Sequence, residues 1–422
     1  MKKLNILISV FILFGIIIYN IYLNKKYSNS YKNELYKKIN KLKIFLYTTS
    51  ILMFFVSLIF NIINNNMDSS FNNTITCLLN SLSITILFMP LSLTNLYEKT
   101  FNDEEKYSHV KTIVTNIINP SYIKKFNRAG INVIILSELE NNLKFKTIEE
   151  SEIEKKYLKK NIIIKTKNNH ILDKIINKED VYYEFDNLSD SYNKIYHARG
   201  VHDNYIRALK YLITTYLPLY LTYIFLNILR FPVCYNLLLV MLLKIFTIIT
   251  SKYLYKNLPY DIDLMKRKPK NRNIVFGSQE LSFTLLESCY IFFLLNIPYM
   301  LIEAQGGTQA FANTLFYILF IYINLFLTYS YLSESNIIKN IIKSLKNISL
   351  IIFTITCIAL TLFFNFTTYF ETKNIEMHNF MSCIGFGFIS VFLNELIKLA
   401  RFTTTKGKKK NESKNNKKHS RS

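Results

Sequence analysis

The chain has 422 residues, half of them apolar, and carries 52 Lys and Arg against 29 Asp and Glu, a formal charge of +23. The apolar residues come in blocks of about 20, the length that crosses a bilayer, which places the chain among polytopic membrane proteins. The lysines sit between these blocks and at the C-terminus, so loops solvated beside a membrane account for the charge and nucleic acid is excluded as a partner.

About nine blocks are expected to span, at 4–22, 44–63, 76–96, 208–229, 232–254, 280–302, 310–332, 347–369 and 378–398. The first has a signal-peptide-like start but no small-residue cleavage pattern, and Lys25 and Lys26 follow it, so residues 1–35 read as a retained anchor with a basic linker. Residues 36–96 read as a two-helix hairpin. Residues 97–206 are the one sizeable soluble region. There GINVIILS (130–137), NIIIKT (161–166) and DVYYEF (180–185) read as buried strands, and NPSYIKKFNRA (119–129) as a helix. Alternating helix and strand implies a small parallel α/β unit. Residues 140–160 are charged and read as a solvated helix or loop.

From Val201 onward, Tyr205, Ala208, Leu209 and Leu212 recur at helical spacing, and neither Gly nor Pro interrupts before Leu217. One rod is therefore expected to run from water into the bilayer. Six spans fill 207–402, and residues 403–422 form a basic polar tail, expected to be disordered near anionic lipid. Basic loops follow the first, fifth and seventh spans, whereas the links at 64–75 and 303–309 hold no Lys or Arg. This asymmetry puts the N-terminus outside and the C-terminus in the cytoplasm, with the plasma membrane as the expected location. Cys77, Cys234, Cys289, Cys357 and Cys383 show no paired spacing and read as small apolar residues, without disulfide or metal.

FDNLSDSYNKIYHARGVHDNYIRALKYLI (185–213) resembles the end of the phosphorylation domain and the fifth-helix stalk of P-type cation-transporting ATPases, of the calcium-pump-like subclass. Asp186, Asn187, Ser189, Arg199, Asn204, Tyr211 and Leu212 fall on that pattern. The family's Gly precedes its Arg, whereas here Gly200 follows Arg199. Asp263-Leu-Met-Lys-Arg-Lys-Pro269 is similar to the family's D-I-M-K-R-P-P after the sixth helix. TQAFANTLF (308–316) and LNELIKLAR (393–401) resemble its eighth and tenth helices. The resemblance covers about 36–401 and implies a P-type-like bundle carrying a haloacid-dehalogenase-like, Rossmann-type remnant.

At the positions matching the family's working motifs, the chemistry has changed. Thr-Gly-Asp has become Ser137-Glu138-Leu139. The Asp that supports magnesium is Asn168, and the Asn-Asp pair is Ile171-Leu172. The D-K-T-G nucleophile and T-G-E motifs are missing, and Gly306-Gly307 lies in an outward loop rather than at a phosphate cradle. Phosphoryl transfer needs carboxylate-held magnesium, a phosphate-binding lysine and a nucleophile. A pseudo-ATPase without cofactor is therefore expected. In the bundle, Pro90 is kept but Leu91 replaces the Glu of P-E-G-L. In the fifth helix Tyr216 and Leu219 replace two ligands, and in the sixth Lys244, Thr247 and Ile248 keep only the Thr. Such a lining lacks the several oxygens that a hard cation needs.

Lys244 sits mid-span, where an unpaired ammonium costs about 2.5–3.5 kcal/mol or more. Glu287 lies at a similar depth, within roughly 5 Å by helical rise. The two are expected to pair in the space of a lost ion, or else Lys244 snorkels along a water-filled cleft. Glu395 and Lys398, three apart, read as a surface pair, and Asn80 and Asn324 as helix–helix hydrogen bonds. The function expected is binding or scaffolding, with the lipid bilayer and another membrane protein, such as an intact pump, as partners. Two alternatives are a passive or proton-coupled transporter and the transmembrane part of a split ATPase.

Overall fold

The computed structural model describes residues 107–115, 119–135, 163–166, 182–185, 187–229, 264–269, 278–332, 348–367 and 372–419, with isolated positions between 15 and 63, between 231 and 250, and at Tyr260. Side chains of the last helix are described as far as Arg401. The expected spans at 4–22, 44–63, 76–96 and 232–254 lie outside the described residues or are touched only at single positions.

The soluble unit is a four-stranded sheet: β1 (Thr112–Thr115), β2 (Asn132–Ile135), β3 (Ile163–Thr166) and β4 (Tyr182–Phe185). Its order is β2-β1-β3-β4 and every pairing is parallel, with Ile113 opposite Val133 on one side and Ile164 on the other. The parallel α/β expectation holds here, and β1 is an added strand. Its sequence, Thr-Ile-Val-Thr, is too short and too polar at both ends to announce itself, yet both threonines are fully buried.

Helix α1 (Pro120–Arg128) links β1 to β2. Asn119 caps it by accepting from the Ser121 amide at 3.2 Å, and Pro120 sits in the first turn, where its missing N–H costs nothing. The helix stops at Gly130, whose φ of 70° is the left-handed conformation that glycine adopts freely. Ile123 and Phe126 are buried, and Phe126 packs with Val110, Ile113 and Ile131 against Leu188 and Ile195.

Those last two residues open α2 (Leu188–Ile228), a single helix of 41 residues and about 60 Å. The rod expected from the sequence is present, and it joins the α/β unit to the bundle without a break. Its interior Pro218 removes one backbone donor, and upstream the Thr215 hydroxyl donates to the carbonyls of Tyr211 and Leu212.

The bundle continues with α3 (Ser278–Ala304), α4 (Gln309–Tyr331), α5 (Ile348–Phe366) and α6 (Met377–His419). Four of these helices, α2, α3, α4 and α6, are long and apolar enough to cross a membrane, and α5 offers a shorter apolar stretch. In α4, 83% of the apolar window is buried, against 39% in α3 and in α6, so α4 is the core helix and the other two are peripheral. One expectation changes at the C-terminus: α6 runs on through the basic segment to His419, where a disordered tail is expected. Propagating an existing helix avoids the nucleation cost that an isolated polar segment faces.

Candidate functional site: a polar layer through the bundle

The lower half of the bundle is threaded by polar side chains that an apolar helix core does not need. At its centre is Glu287 of α3, 2% exposed. Its Oε1 meets Arg401 Nη2 of α6 at 3.2 Å. Its Oε2 accepts a hydrogen bond from the Tyr331 hydroxyl of α4, and Thr214 Oγ1 of α2 lies 3.5 Å from the same oxygen. Thr214 and Tyr331 are themselves 3.2 Å apart. Four helices thus converge on one carboxylate. The Arg401 guanidinium also lies 5.3 Å from the centroid of the Phe283 ring, one turn before Glu287, an added cation–π attraction.

Two further groups flank this centre. Lys210 of α2 reaches Glu280 of α3 at 3.6 Å. On the other side, Ser330 Oγ donates to Glu395 Oε1 at 2.9 Å, Asn394 Nδ2 donates to Ser330 Oγ at 2.9 Å, and Lys398 Nζ donates to Glu395 at 2.7 Å and to the Ser330 carbonyl. The side chains of Lys398 and Glu395 are only 14% and 23% exposed. The expected surface pair is instead an interhelical clasp between α4 and α6, because Ser330 ends α4 where α6 passes.

Deeper in the bundle, Tyr211 donates to Asn324 Oδ1 at 2.7 Å, and Asn296 Nδ2 donates to Thr222 Oγ1 at 2.6 Å. Asn324 therefore forms the helix–helix hydrogen bond expected of it. Within membranes such bonds average about 0.6 kcal/mol and reach about 1.7. Tyr211→Phe is accordingly expected to destabilise the bundle by about 1 kcal/mol without altering its fold, read from urea or thermal unfolding of the detergent-solubilised chain.

Among the residues singled out in the sequence, the structure brings Thr247 and Tyr216 together, the Thr247 hydroxyl donating to the tyrosine oxygen at 3.1 Å. Leu219 is fully buried in the apolar core. Pro90, Leu91, Lys244 and Ile248 lie outside the described residues, as do Ser137, Glu138, Leu139, Asn168, Ile171, Leu172 and Asn80. Glu287 was anticipated as half of an ion pair, and its described partners are Arg401, Tyr331 and Thr214. Arg401 escaped sequence reasoning because a basic residue closing a span reads as an interfacial anchor. Tyr331 escaped it because a terminal Tyr reads as an aromatic belt.

A second polar junction holds α2 to the α/β unit. Arg199 donates to the Ala129 carbonyl through both terminal nitrogens at 3.3 Å, and to the Arg267 carbonyl at 3.0 Å. Arg267 pairs in turn with Asp203 at 3.3 Å. The short 3-10 turn Leu264–Lys266 and the residues after it are thereby clamped between helix and sheet unit.

A helical membrane bundle with a stalk helix rising into a small α/β unit is the class this architecture defines. Residues 232–400 match the family of the cation transporting ATPase C-terminus, a stretch that takes in α3, α4, α5 and most of α6. The chain resembles the C-terminal region of cation-transporting P-type ATPases. A comparison with curated proteins found no match.

Proposed function

We propose that this chain is a catalytically inactive relative of cation-transporting ATPases, a membrane scaffold that works by binding rather than by hydrolysing ATP. The observation that carries the reading is the occupancy of Glu287. A carboxylate serving a transported cation must present its oxygens to that ion, whereas both oxygens here are engaged by the chain's own Arg401, Tyr331 and Thr214. The substitutions Asn168, Ile171 and Leu172, together with Leu91 and Leu219, support the same reading, because each replaces an acidic or amide side chain in the matching family motif. The position of the α/β unit before the stalk and its parallel strands support reading it as a remnant of the phosphorylation domain. The proposed partner is another membrane protein, with the N-terminus outside and the C-terminus cytoplasmic in the plasma membrane.

The test is direct. Purified full-length chain incubated with γ-labelled ATP and magnesium is expected to take up no acid-stable label. An aspartyl-phosphate on this polypeptide would overturn the proposal. The transporter alternative requires Glu287 to let go of Arg401 during a cycle. Proton or cation flux in liposomes, abolished by Glu287→Gln, would favour it. The split-pump alternative is compatible with the match to a C-terminal region, and it predicts a co-purifying ATP-hydrolysing chain.

A further inference from the structure

The exposed side of α1 and the chain beside it carry charge of one sign. Lys124, Lys125 and Arg128 on the helix, Lys111 just before β1, and Lys268 are all exposed. The last two lie close to the end of α1. The Asn132 amide, two residues past Gly130, donates to the Lys111 carbonyl at 2.8 Å, and a Cβ on Gly130 would lie 2.9 Å from Cγ of Lys268. Among the described residues, none of these cations meets a carboxylate. Lys125 rests on aromatic rings instead, its Nζ 4.6 and 5.5 Å from the centroids of Tyr122 and Tyr192. The dipole of α1 accounts for Lys125 and Arg128 in its last turn, but not for Lys111, Lys124 and Lys268.

Lys124 and Arg128, four apart on the helix, border an open depression of about 530 Å³ that Pro120, Ile123 and Asn127 also line. An occupant therefore meets apolar surface as well as charge. Distance decides which anions can come here. Ala129 meets Arg199, and the Tyr122 and Phe126 rings meet Tyr192. Thr214, level with the Glu287–Arg401 pair that closes the α6 span, lies further along the same straight helix. Helical rise puts α1 about 22–33 Å from that level. Headgroups add about 5–8 Å to the hydrocarbon core, and charge is screened within about 8 Å at physiological salt. A lipid surface is thus out of reach, and a polypeptide rising from the membrane is not.

We infer that this face docks an acidic polypeptide segment of the partner protein, one that mixes carboxylates with apolar side chains. The inference rests on the binding reading above and names the surface that does the binding. Carboxylates pair with Lys124, Arg128, Lys111 and Lys268, while apolar side chains settle beside Pro120 and Ile123. Each exposed pair is weak by itself, so the single-signed field steers the encounter and several contacts together hold it.

The probe is a fluorescein-labelled peptide of repeated Glu-Glu-Ile, titrated by anisotropy against the full-length chain in phosphatidylcholine nanodiscs at physiological salt. Saturable binding is expected. Lys124→Gln with Arg128→Gln, both at exposed positions, is expected to keep Tm and to weaken binding about five-fold. Lys124→Glu with Arg128→Glu is expected to abolish it. Neutralising Lys406, Lys408, Lys409 and Lys410 in the C-terminal segment is expected to leave it as it was. Absence of binding, binding lost only in that C-terminal variant, or equal binding by the wild type and both α1 variants would overturn the inference. Two other results would overturn it by giving the face another occupant. Phosphatidylserine in the disc weakening the peptide as much as the glutamine pair does would assign the face to lipid. A gain of roughly tenfold on changing Glu149, Glu150, Glu152 and Glu154 to Gln would assign it to the chain's own acidic run. Any of these failures leaves the inactive-pump reading standing, since that reading turns on an aspartyl-phosphate.

Discussion

Arg401→Ala is expected to lower the unfolding temperature of the detergent-solubilised chain more than Glu287→Gln does. Removing the arginine strands a carboxylate that is 2% exposed, and breaking a buried pair from one side typically costs about 3–5 kcal/mol. The reverse change is milder for a physical reason. Glutamine still accepts from Tyr331, and Arg401 sits at the end of the span with its side chain about one-fifth exposed, so it turns its head toward water. The double variant Glu287→Leu with Arg401→Met is expected to recover most of the loss, since replacing both members of a buried pair by packed apolar groups is often neutral. If Arg401→Ala cost less than Glu287→Gln, the pair would not be what holds α3 to α6.

The second large effect concerns Gly200, where two terms compete. Glycine inside a helix gives up about 1 kcal/mol relative to alanine, so a side chain there ought to stabilise α2. The structure reverses the sign. A Cβ on Gly200 would lie 2.3 Å from Cδ1 of Tyr260, and that ring meets Tyr196 and His197 edge to face, with centroids at 5.8 and 5.4 Å. Overpacking of this kind costs about 1–3 kcal/mol, so Gly200→Leu is expected to loosen the stalk junction and to speed proteolysis of the α/β unit. Adding Tyr260→Ala makes room and is expected to restore wild-type resistance. Protection of Gly200→Leu equal to the wild type would show that the contact with Tyr260 is not tight.

The place of Gly200 also explains a departure from the family motif. The family puts its glycine before the arginine, and here it follows. Here Arg199 clamps Ala129 and Arg267, while Gly200 holds the helix position that Tyr260 overlies.

Much of the fold was legible from local pattern. The strands at 132–135, 163–166 and 182–185 fall inside runs of β-branched and aromatic residues, and the helix at 120–128 carries its own cap and stop. The stalk announced itself because helical spacing runs unbroken from Val201. β1 did not, because two of its four residues are threonines whose burial depends on neighbours on both sides of it. The helical run to His419 was also hidden, since its composition is that of a solvated tail and its helicity is borrowed from the span before it.

The polar layer was legible only as loose parts. Glu287 stood out because a carboxylate in an apolar run demands a partner, but Arg401 lies 114 residues further on and Tyr331 lies 44. By itself the amino-acid sequence determined the apolar lengths, the parallel α/β alternation and the continuous stalk. These are local properties, carried by composition and period. Only the tertiary structure decided that Arg401, among the described cations, meets Glu287, that Glu395 and Lys398 form a clasp with Ser330, and that Arg199 clamps Ala129 and Arg267. Those outcomes depend on how separate helices are rotated and set against one another, and no local pattern encodes that.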